Sequence, residues 1–311
     1  MSFFIVLHQV IIIFLLMSVG FFSHKWGLIS EDGSRDMTRL LLYIVSPCVI
    51  LKAFQQPFSL NRLRELGLSF LCVVLLLVLA ILTAQLLFSR PMIKNDGRRK
   101  NTHFATIYTN AGFMGIPLVS ALLGSSGVFY ATPYLAAANL FMWTHGISLY
   151  RKKQSIKAKL ANMLNPNIMT IAIGVILFAG SFRISGIADH VISDISNLNT
   201  PLSMIVIGDS IAAIPLLNLF SDRLTWLAVT VHNVLMPLEA AVLFRFVAVS
   251  DTAKLVVILL SACPVAGVIV LFAVLNRQPT AFPTQIMALS TLLSVLSIPM
   301  VTSLCLFVLR G

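Results

Sequence analysis

Charge is scarce in this sequence. Asp, Glu, Lys and Arg make up 11% of the 311 residues, where a soluble domain carries about 25%. Acids are scarcer still: 11 against 22 Lys and Arg, a net charge of +11. In a soluble protein such a balance points to nucleic acid. Here the basic residues cluster between apolar runs, the mark of cytoplasmic loops, and nucleic-acid binding is excluded. Cysteine is limited to Cys48, Cys72, Cys263 and Cys305, each inside an apolar run and none in CxxC spacing. They read as small apolar residues, not disulfides or metal ligands. No spaced Cys/His set or HExxH occurs, so no metal is expected. A phosphate-cradling GxxxxGK[ST] loop and a GxSxG elbow are missing too, which excludes a P-loop ATPase and an α/β-hydrolase. The N-terminus lacks a basic n-region and a small-residue cleavage site, so the first apolar run is expected to remain as a spanning helix.

What is present is apolar: 58% of residues and a mean hydropathy of +0.94. A spanning helix needs about 20 apolar residues, and ten such spans are expected. Span 1 runs from Phe3 to Ser23, span 2 from Thr38 to Phe54 with Pro47 inside, span 3 from Leu66 to Phe88, span 4 from Thr102 to Leu123 and span 5 from Val128 to Tyr150. After the basic hinge Arg151-Lys-Lys-Gln-Ser-Ile-Lys157-Ala-Lys159 come span 6 (Asn165 to Gly180), span 7 (Asn199 to Leu219), span 8 (Leu224 to Val249), span 9 (Thr252 to Leu275) and span 10 (Phe282 to Leu309). Fifteen Lys and Arg fall in the odd loops, against seven in the even loops and C-terminus. The positive-inside rule then puts the odd loops in the cytoplasm and both termini outside, in a multi-pass protein of the cell membrane.

The fold expected is all-α, with two five-span halves, residues 1–150 and 160–311, separated by the hinge at 151–159. Five is odd, so the second half enters from the opposite face and the repeat is inverted. Span 1 ends Ser23-His-Lys25-Trp-Gly27-Leu-Ile and span 6 ends Ser181-Phe-Arg183-Ile-Ser-Gly186-Ile. The fourth span of each half is interrupted. Gly112, Gly115 and Pro117 break span 4, and Cys263-Pro264-Val265-Ala-Gly267 breaks span 9. Glycine weakens a helix, and proline removes a donor and clashes with the preceding turn. Broken helix at membrane depth is tolerated only where it is buried in protein or lines a wet cavity. A matching pair of such segments points to a transporter binding site, whose half-helix N-termini suit an anion. The candidate anion-binding residues are Gly112, Gly115, Pro117, Leu118, Cys263, Pro264, Val265 and Gly267. The amides near Leu118 to Ser120 and near Val265 to Gly267 are the expected donors.

Two acids, Asp209 and Glu239, fall deep inside spans, where an ionisable residue is by default a functional hypothesis. Asp209 is a candidate for binding H⁺ or Na⁺. Its alternative is an acid hydrogen-bonded to a neighbouring helix. His232, Met236 and Glu239, at i, i+4 and i+7, share a face, so His232 and Glu239 are either a proton relay or a structural polar patch. His145 and Asn139 in span 5 and Gln85 in span 3 complete the buried-looking polar set.

Asn110-Ala-Gly-Phe-Met-Gly-Ile-Pro117-Leu118 resembles the Asn-x-x-x-Met-Gly-x-Pro-Leu signature of the auxin efflux carrier family. Asn165-Pro-Asn-Ile-Met-Thr-Ile-Ala-Ile-Gly174 is similar to the opening of that family's sixth helix, and Pro264-Val-Ala-Gly267-Val-Ile-Val-Leu-Phe-Ala273 to its ninth-helix crossover. The pattern covers the whole chain in order. The short hinge resembles the bacterial branch of small organic-anion carriers, since the long central loop of canal-type plant exporters is absent. The resemblance implies a ten-helix inverted repeat. Helices 1, 2, 6 and 7 would form a scaffold, often dimeric, and helices 3–5 and 8–10 a moving core where helices 4 and 9 cross. It also implies alternating-access transport of small carboxylates such as malate, malonate or auxin-like acids, with Asn110 touching substrate and no cofactor beyond a coupled H⁺ or Na⁺. The acid in Ile207-Gly-Asp209-Ser departs from the small or apolar residue expected there. Three rivals stand: a sodium-coupled bile-acid-type carrier of related architecture, a membrane receptor that binds an anion without moving it, and a membrane enzyme. No loop is long enough for an output domain, and the acids and histidines are scattered.

Overall fold

The structure, a computed structural model, describes residues 3–150, 166–213, 219–275 and 278–310. The basic hinge at 151–159, Asn165 and the far end of span 7 lie outside the described residues. Among those described the chain is helical throughout, with one isolated β-bridge. Five helices are long and apolar enough to cross a bilayer: Phe4–Lys25, Leu60–Leu87, Ala111–Gly146, Arg223–Arg245 and Ala281–Leu309.

Helix α1 (Phe3–Lys25) is followed by α2 (Glu31–Leu40), a wide π turn (Leu41–Val45) and α3 (Ser46–Ala53). Span 2 therefore starts seven residues earlier than its apolar stretch suggests. Ser30 caps it, its hydroxyl accepting from the Gly33 amide at 3.1 Å, and Glu31 and Asp32 sit in the positive first turn. Proline does not break the helix at Pro47, because the π turn widens the coil just before it. The same arrangement recurs twice: the π turns Ala111–Gly115 and Val231–Leu235 precede Pro117 and Pro237, each the second residue of its helix. The extra residue in the turn makes room for the proline ring, and the missing N–H falls where the turn leaves amides unpaired.

Helix α4 (Leu60–Leu87) presents Leu71, Leu75, Leu82 and Leu86 outward. Helices α5 (Asp96–Ile107) and α6 (Ile116–Phe141) follow, and α6 is kinked at Gly124, where φ is +61°. That left-handed residue joins what the sequence separates into spans 4 and 5. Helix α7 (Pro166–Ala179) is apolar but short. The next element, α8 (Ile187–Asn197), is polar and only 11 residues long, and lies where the sequence suggests a loop. It leads into α9 (Asn199–Ala212). After α10 (Arg223–Thr230) and α11 (Met236–Arg245) come α12 (Asp251–Ser261), α13 (Val268–Leu275) and the long α14 (Ala281–Arg310).

Two glycines set how α1 and α9 cross. A Cβ on Gly20 would stand 2.0 Å from the Ile205 carbonyl oxygen, and one on Gly208 would stand 1.8 Å from that of Met17. The backbones touch, the close approach that small residues allow between membrane helices. Helices α3, α6 and α7 meet over Phe54, Phe129 and Phe178, whose rings lie edge to face with Phe129 centroids 5.4 and 5.1 Å from the other two.

Candidate functional site

The breaks in spans 4 and 9 meet. Helix α5 ends at Ile107; Tyr108 is extended, Thr109 forms a bridge and Asn110 turns the chain into the π turn. Helix α12 ends at Ser261, with the chain irregular until Val268. The two irregular strips pair antiparallel through a Thr109–Val265 bridge. The Asn110 amide donates to the Pro264 carbonyl at 2.7 Å, and the Ala266 amide donates to the Tyr108 carbonyl at 2.9 Å. Each break thus satisfies part of the backbone the other exposes, as non-helical chain within protein must.

The first break lies at 108–110 and not at Gly112 to Pro117. Two glycines and a proline signal weak helix, but the π turn absorbs them. The amides near Leu118 to Ser120 are therefore not the open donors: Leu118 is buried inside a continuing helix. The unpaired first-turn amides fall instead at Ala111 to Phe113. Of these residues Gly112 faces open space, with nothing within 4 Å of a Cβ placed on it. Asn110, two residues before it, is half-buried. Gly115 has a packing role, since a Cβ there would be 2.5 Å from Leu260 and 3.3 Å from the Cys263 sulfur. In the second break two of the expected donors are already engaged. The Val265 amide donates to Ser290 Oγ at 3.0 Å and the Ala266 amide to Tyr108. Gly267, half-exposed, remains. Cys263 is fully buried, its thiol directed at the Leu259 carbonyl.

His232 lies between the carbonyl ends of the two leading half-helices. Its Nδ1 is 3.2 Å from the Thr106 oxygen and its Nε2 is 3.0 Å from the Cys263 oxygen, with the side chain fully buried. It does not form a relay with Glu239. The π turn Val231–Leu235 breaks the i, i+4, i+7 register, and Glu239 turns away to accept from the Thr83 hydroxyl at 2.7 Å. His145 does reach the break, its Nδ1 2.9 Å from the hydroxyl of Tyr108, which also donates to the Phe141 carbonyl. Asn139 instead bonds the Leu135 carbonyl, and Gln85 is exposed.

Asp209 is buried and partnered. It accepts from His24 Nδ1 at 2.8 Å and from the Ser34 hydroxyl at 2.5 Å, tying α9 to α1 and α2 in its last full turn. It is remote in the chain from both breaks, and of its two readings the geometry matches the hydrogen-bonded one.

Several residues escape a reading based on apolar runs. Ser290 of α14 accepts from Val265 and donates to Asn233 Oδ1 at 2.7 Å, while the Asn233 amide reaches back to the Ser290 carbonyl. Thr109 meets the Tyr134 hydroxyl at 3.3 Å. Polar side chains inside apolar runs were the available signal, since each must find a partner. Glu65 is a second buried acid beside Asp209, Glu239 being only partly buried. It accepts from Asn61 and from the Ser250 hydroxyl, which also caps α12. It lies inside α4, one residue before the expected start of span 3.

Residues 5–159 and 152–302 match the family model described as Membrane transport protein. An uncharacterised transporter of Methanothermobacter thermautotrophicus is 23% identical over 299 residues, 94% of this chain and 95% of the relative. An uncharacterised transporter of Methanocaldococcus jannaschii is 23% identical over 215 residues, 65% of this chain and 68% of that one.

Proposed function

The chain belongs to the membrane transport protein family, and from that premise we propose that it is a secondary carrier of small organic anions working by alternating access. This is the auxin efflux carrier family, whose motifs the segments at 110–118, 165–174 and 264–273 resemble. The family and the relatives are transporters, not enzymes. In this reading ten spans form two inverted five-helix repeats. Helices 1, 2, 6 and 7 are the scaffold, through which two copies pair, and helices 3–5 and 8–10 are the transport core. The N- and C-termini face outside, and the chain sits in the cell membrane.

The observation that carries the reading is the pairing of the two breaks through the Asn110–Pro264 and Ala266–Tyr108 backbone bonds. Pairing leaves the positive starts of two trailing half-helices beside one another, with Gly112 open and Asn110 and Gly267 half-exposed. Backbone donors there suit a carboxylate without any arginine. The negative ends of the leading half-helices converge on His232. A neutral ring donates to one of the two carbonyls, and a protonated ring would donate to both. Proton binding at His232 would therefore be felt directly at the substrate site, and His145 couples through Tyr108 less directly. Asp209 holds the scaffold together and Glu239 anchors α11 to α4.

The test is uptake of radiolabelled mono- and dicarboxylates into proteoliposomes under imposed pH, Na⁺ and voltage gradients. A carboxylate should accumulate, and Asn110→Ala should abolish its uptake. Binding of an anion with no movement under any gradient would replace the carrier with a receptor. Strict Na⁺ dependence would favour the sodium-coupled rival.

A further inference from the structure

A polar cavity lies away from the breaks. It has a volume of about 220 Å³ and opens between the end of α3, the far part of the half-helix that follows the first break, and the junction of α8 and α9. Lys52, Ser120, Ser125, Asn199 and Thr200 line it. Ser120 is eight residues beyond Gly112, so the cavity sits about 12 Å further along the same half-helix at 1.5 Å per residue.

Two independent features point to a ligand. Asn199 is 4% exposed, yet its side-chain amide nitrogen has no hydrogen-bond partner. A buried donor left unpaired is costly, and its presence in a cavity wall needs an explanation. The second feature is Lys52, whose ammonium already holds a carboxylate here: Asp189 Oδ1 lies 2.6 Å away. Both side chains are 32% exposed. Such a pair contributes little to stability and can be rearranged cheaply. An ammonium has three donors, and Asp189 takes one.

We propose that this cavity is a second carboxylate-binding subsite, in which the Lys52 ammonium and the Asn199 amide hold an organic anion at the far end of the half-helix from the paired breaks. The proposal rests on the organic-anion reading above for its ligand class, but not on the breaks as the transport site. Asp189 occupies the position of the anion's carboxylate when the subsite is empty and competes with it.

The experiment is equilibrium binding of radiolabelled malonate to the full-length protein in nanodiscs. Wild type should bind two malonates per chain. Lys52→Gln and Asn199→Ala should each weaken one of the two by at least about tenfold, the scale of one charge-assisted hydrogen bond. Asn110→Ala should remove the other. Asp189→Asn frees Lys52 and should tighten the Lys52-dependent site, a gain that misfolding cannot produce. If Lys52→Gln, Asn199→Ala and Asp189→Asn all bind as wild type does while Asn110→Ala loses binding, the subsite is refuted and the carrier reading stands. If Asn110→Ala is silent while the Lys52 and Asp189 variants shift in opposite directions, the subsite stands and the role of the paired breaks falls. Absence of any malonate binding by wild type overturns the subsite as assigned.

Discussion

Replacing Gly208 by alanine should separate α1 from α9. The new Cβ would lie 1.8 Å from the Met17 carbonyl oxygen, 2.7 Å from its carbon and 3.0 Å from the Phe21 nitrogen. All three atoms are backbone, so no rotamer can relieve the contact. Normal separation for non-bonded heavy atoms is about 3.5 Å, so the helices must part locally by about 1.5 Å. Overpacking of this kind costs about 1–3 kcal/mol. The neighbouring residue adds to it. Asp209 is 5% exposed and bonds His24 at 2.8 Å and Ser34 at 2.5 Å, two contacts that a shift of this size would break. A buried carboxylate stripped of its partners costs several kcal/mol more, though strain and lost bonds share one displacement and do not simply add. A loss of at least about 3 kcal/mol is expected, read as a fall of roughly 5 °C or more in the midpoint of thermal unfolding in detergent. Gly67→Ala is the control: nothing lies within 4 Å of its Cβ, and alanine should hold or raise the midpoint. If Gly208→Ala unfolds within a degree of Gly67→Ala, the backbone contact between α1 and α9 is refuted.

His232→Ala should leave the Thr106 and Cys263 carbonyls buried without partners, at about 1–3 kcal/mol each. Its thermal midpoint should fall and its uptake should stop responding to a pH gradient, while a variant as stable as wild type would remove the histidine from the crossing. At the rim, Arg98 donates to both oxygens of Asp222 at 2.6 Å. Burial pushes the Asp222 carboxyl up, but the Thr225 hydroxyl and the Arg98 guanidinium outweigh it and leave the group below its ordinary value. A depressed folded value stabilises the protein above the unfolded carboxylate range, about 3.9, and the contribution disappears as pH falls through the folded value. Asp222→Asn keeps the cap on α10, so at pH 7 it should cost about 0.5–1 kcal/mol for a part-exposed pair. Thermal melts of the two proteins should converge below about pH 4, and a constant difference across the range would rule out the ion pair as its source.

Membrane class, the apolar helices and the existence of two interruptions were legible because each depends on composition over many residues. Apolar runs register regardless of tertiary contacts, and paired Gly/Pro clusters weaken helix wherever they fall. What failed was anything decided across the chain. Gly112 and Pro117 predict a break at their own positions, yet the π turn at Ala111–Gly115 absorbs them and moves the break to 108–110. Periodicity put His232 and Glu239 on one face, and the π turn at Val231–Leu235 rotated them apart. A π turn adds one residue per coil and leaves no mark in hydropathy. For three of the four π turns among the described residues a proline follows, Pro47, Pro117 and Pro237 each in the second position after one, while the fourth, Met142–Gly146, leads into Ile147 with no such mark. Helix α8 and the start of α2 escaped for another reason: they are short segments of 11 and 10 residues that carry charge, too short and too polar to register as spans.

The placement of the acids carries the argument furthest. An acid inside an apolar run is costly unless paired, so burial alone nominated Asp209 and Glu239 as coupling groups. In the structure each of these two acids, and Glu65 with them, joins neighbouring elements: Asp209 links α9 to α1 and α2, Glu239 links α11 to α4, and Glu65 links α4 to the start of α12. None of these bonds reaches the strips at 108–110 or 263–267. The groups that do are neutral or weakly basic: Asn110, Tyr108 with His145, Ser290 with Asn233, and His232. A site walled by amides, hydroxyls and imidazole, with the carboxylates drawn off to the joints between helices, is one that an anion can enter without meeting a like charge. The acids thus fix the helices at joints away from the paired breaks, which is the arrangement that the proposed anion site requires.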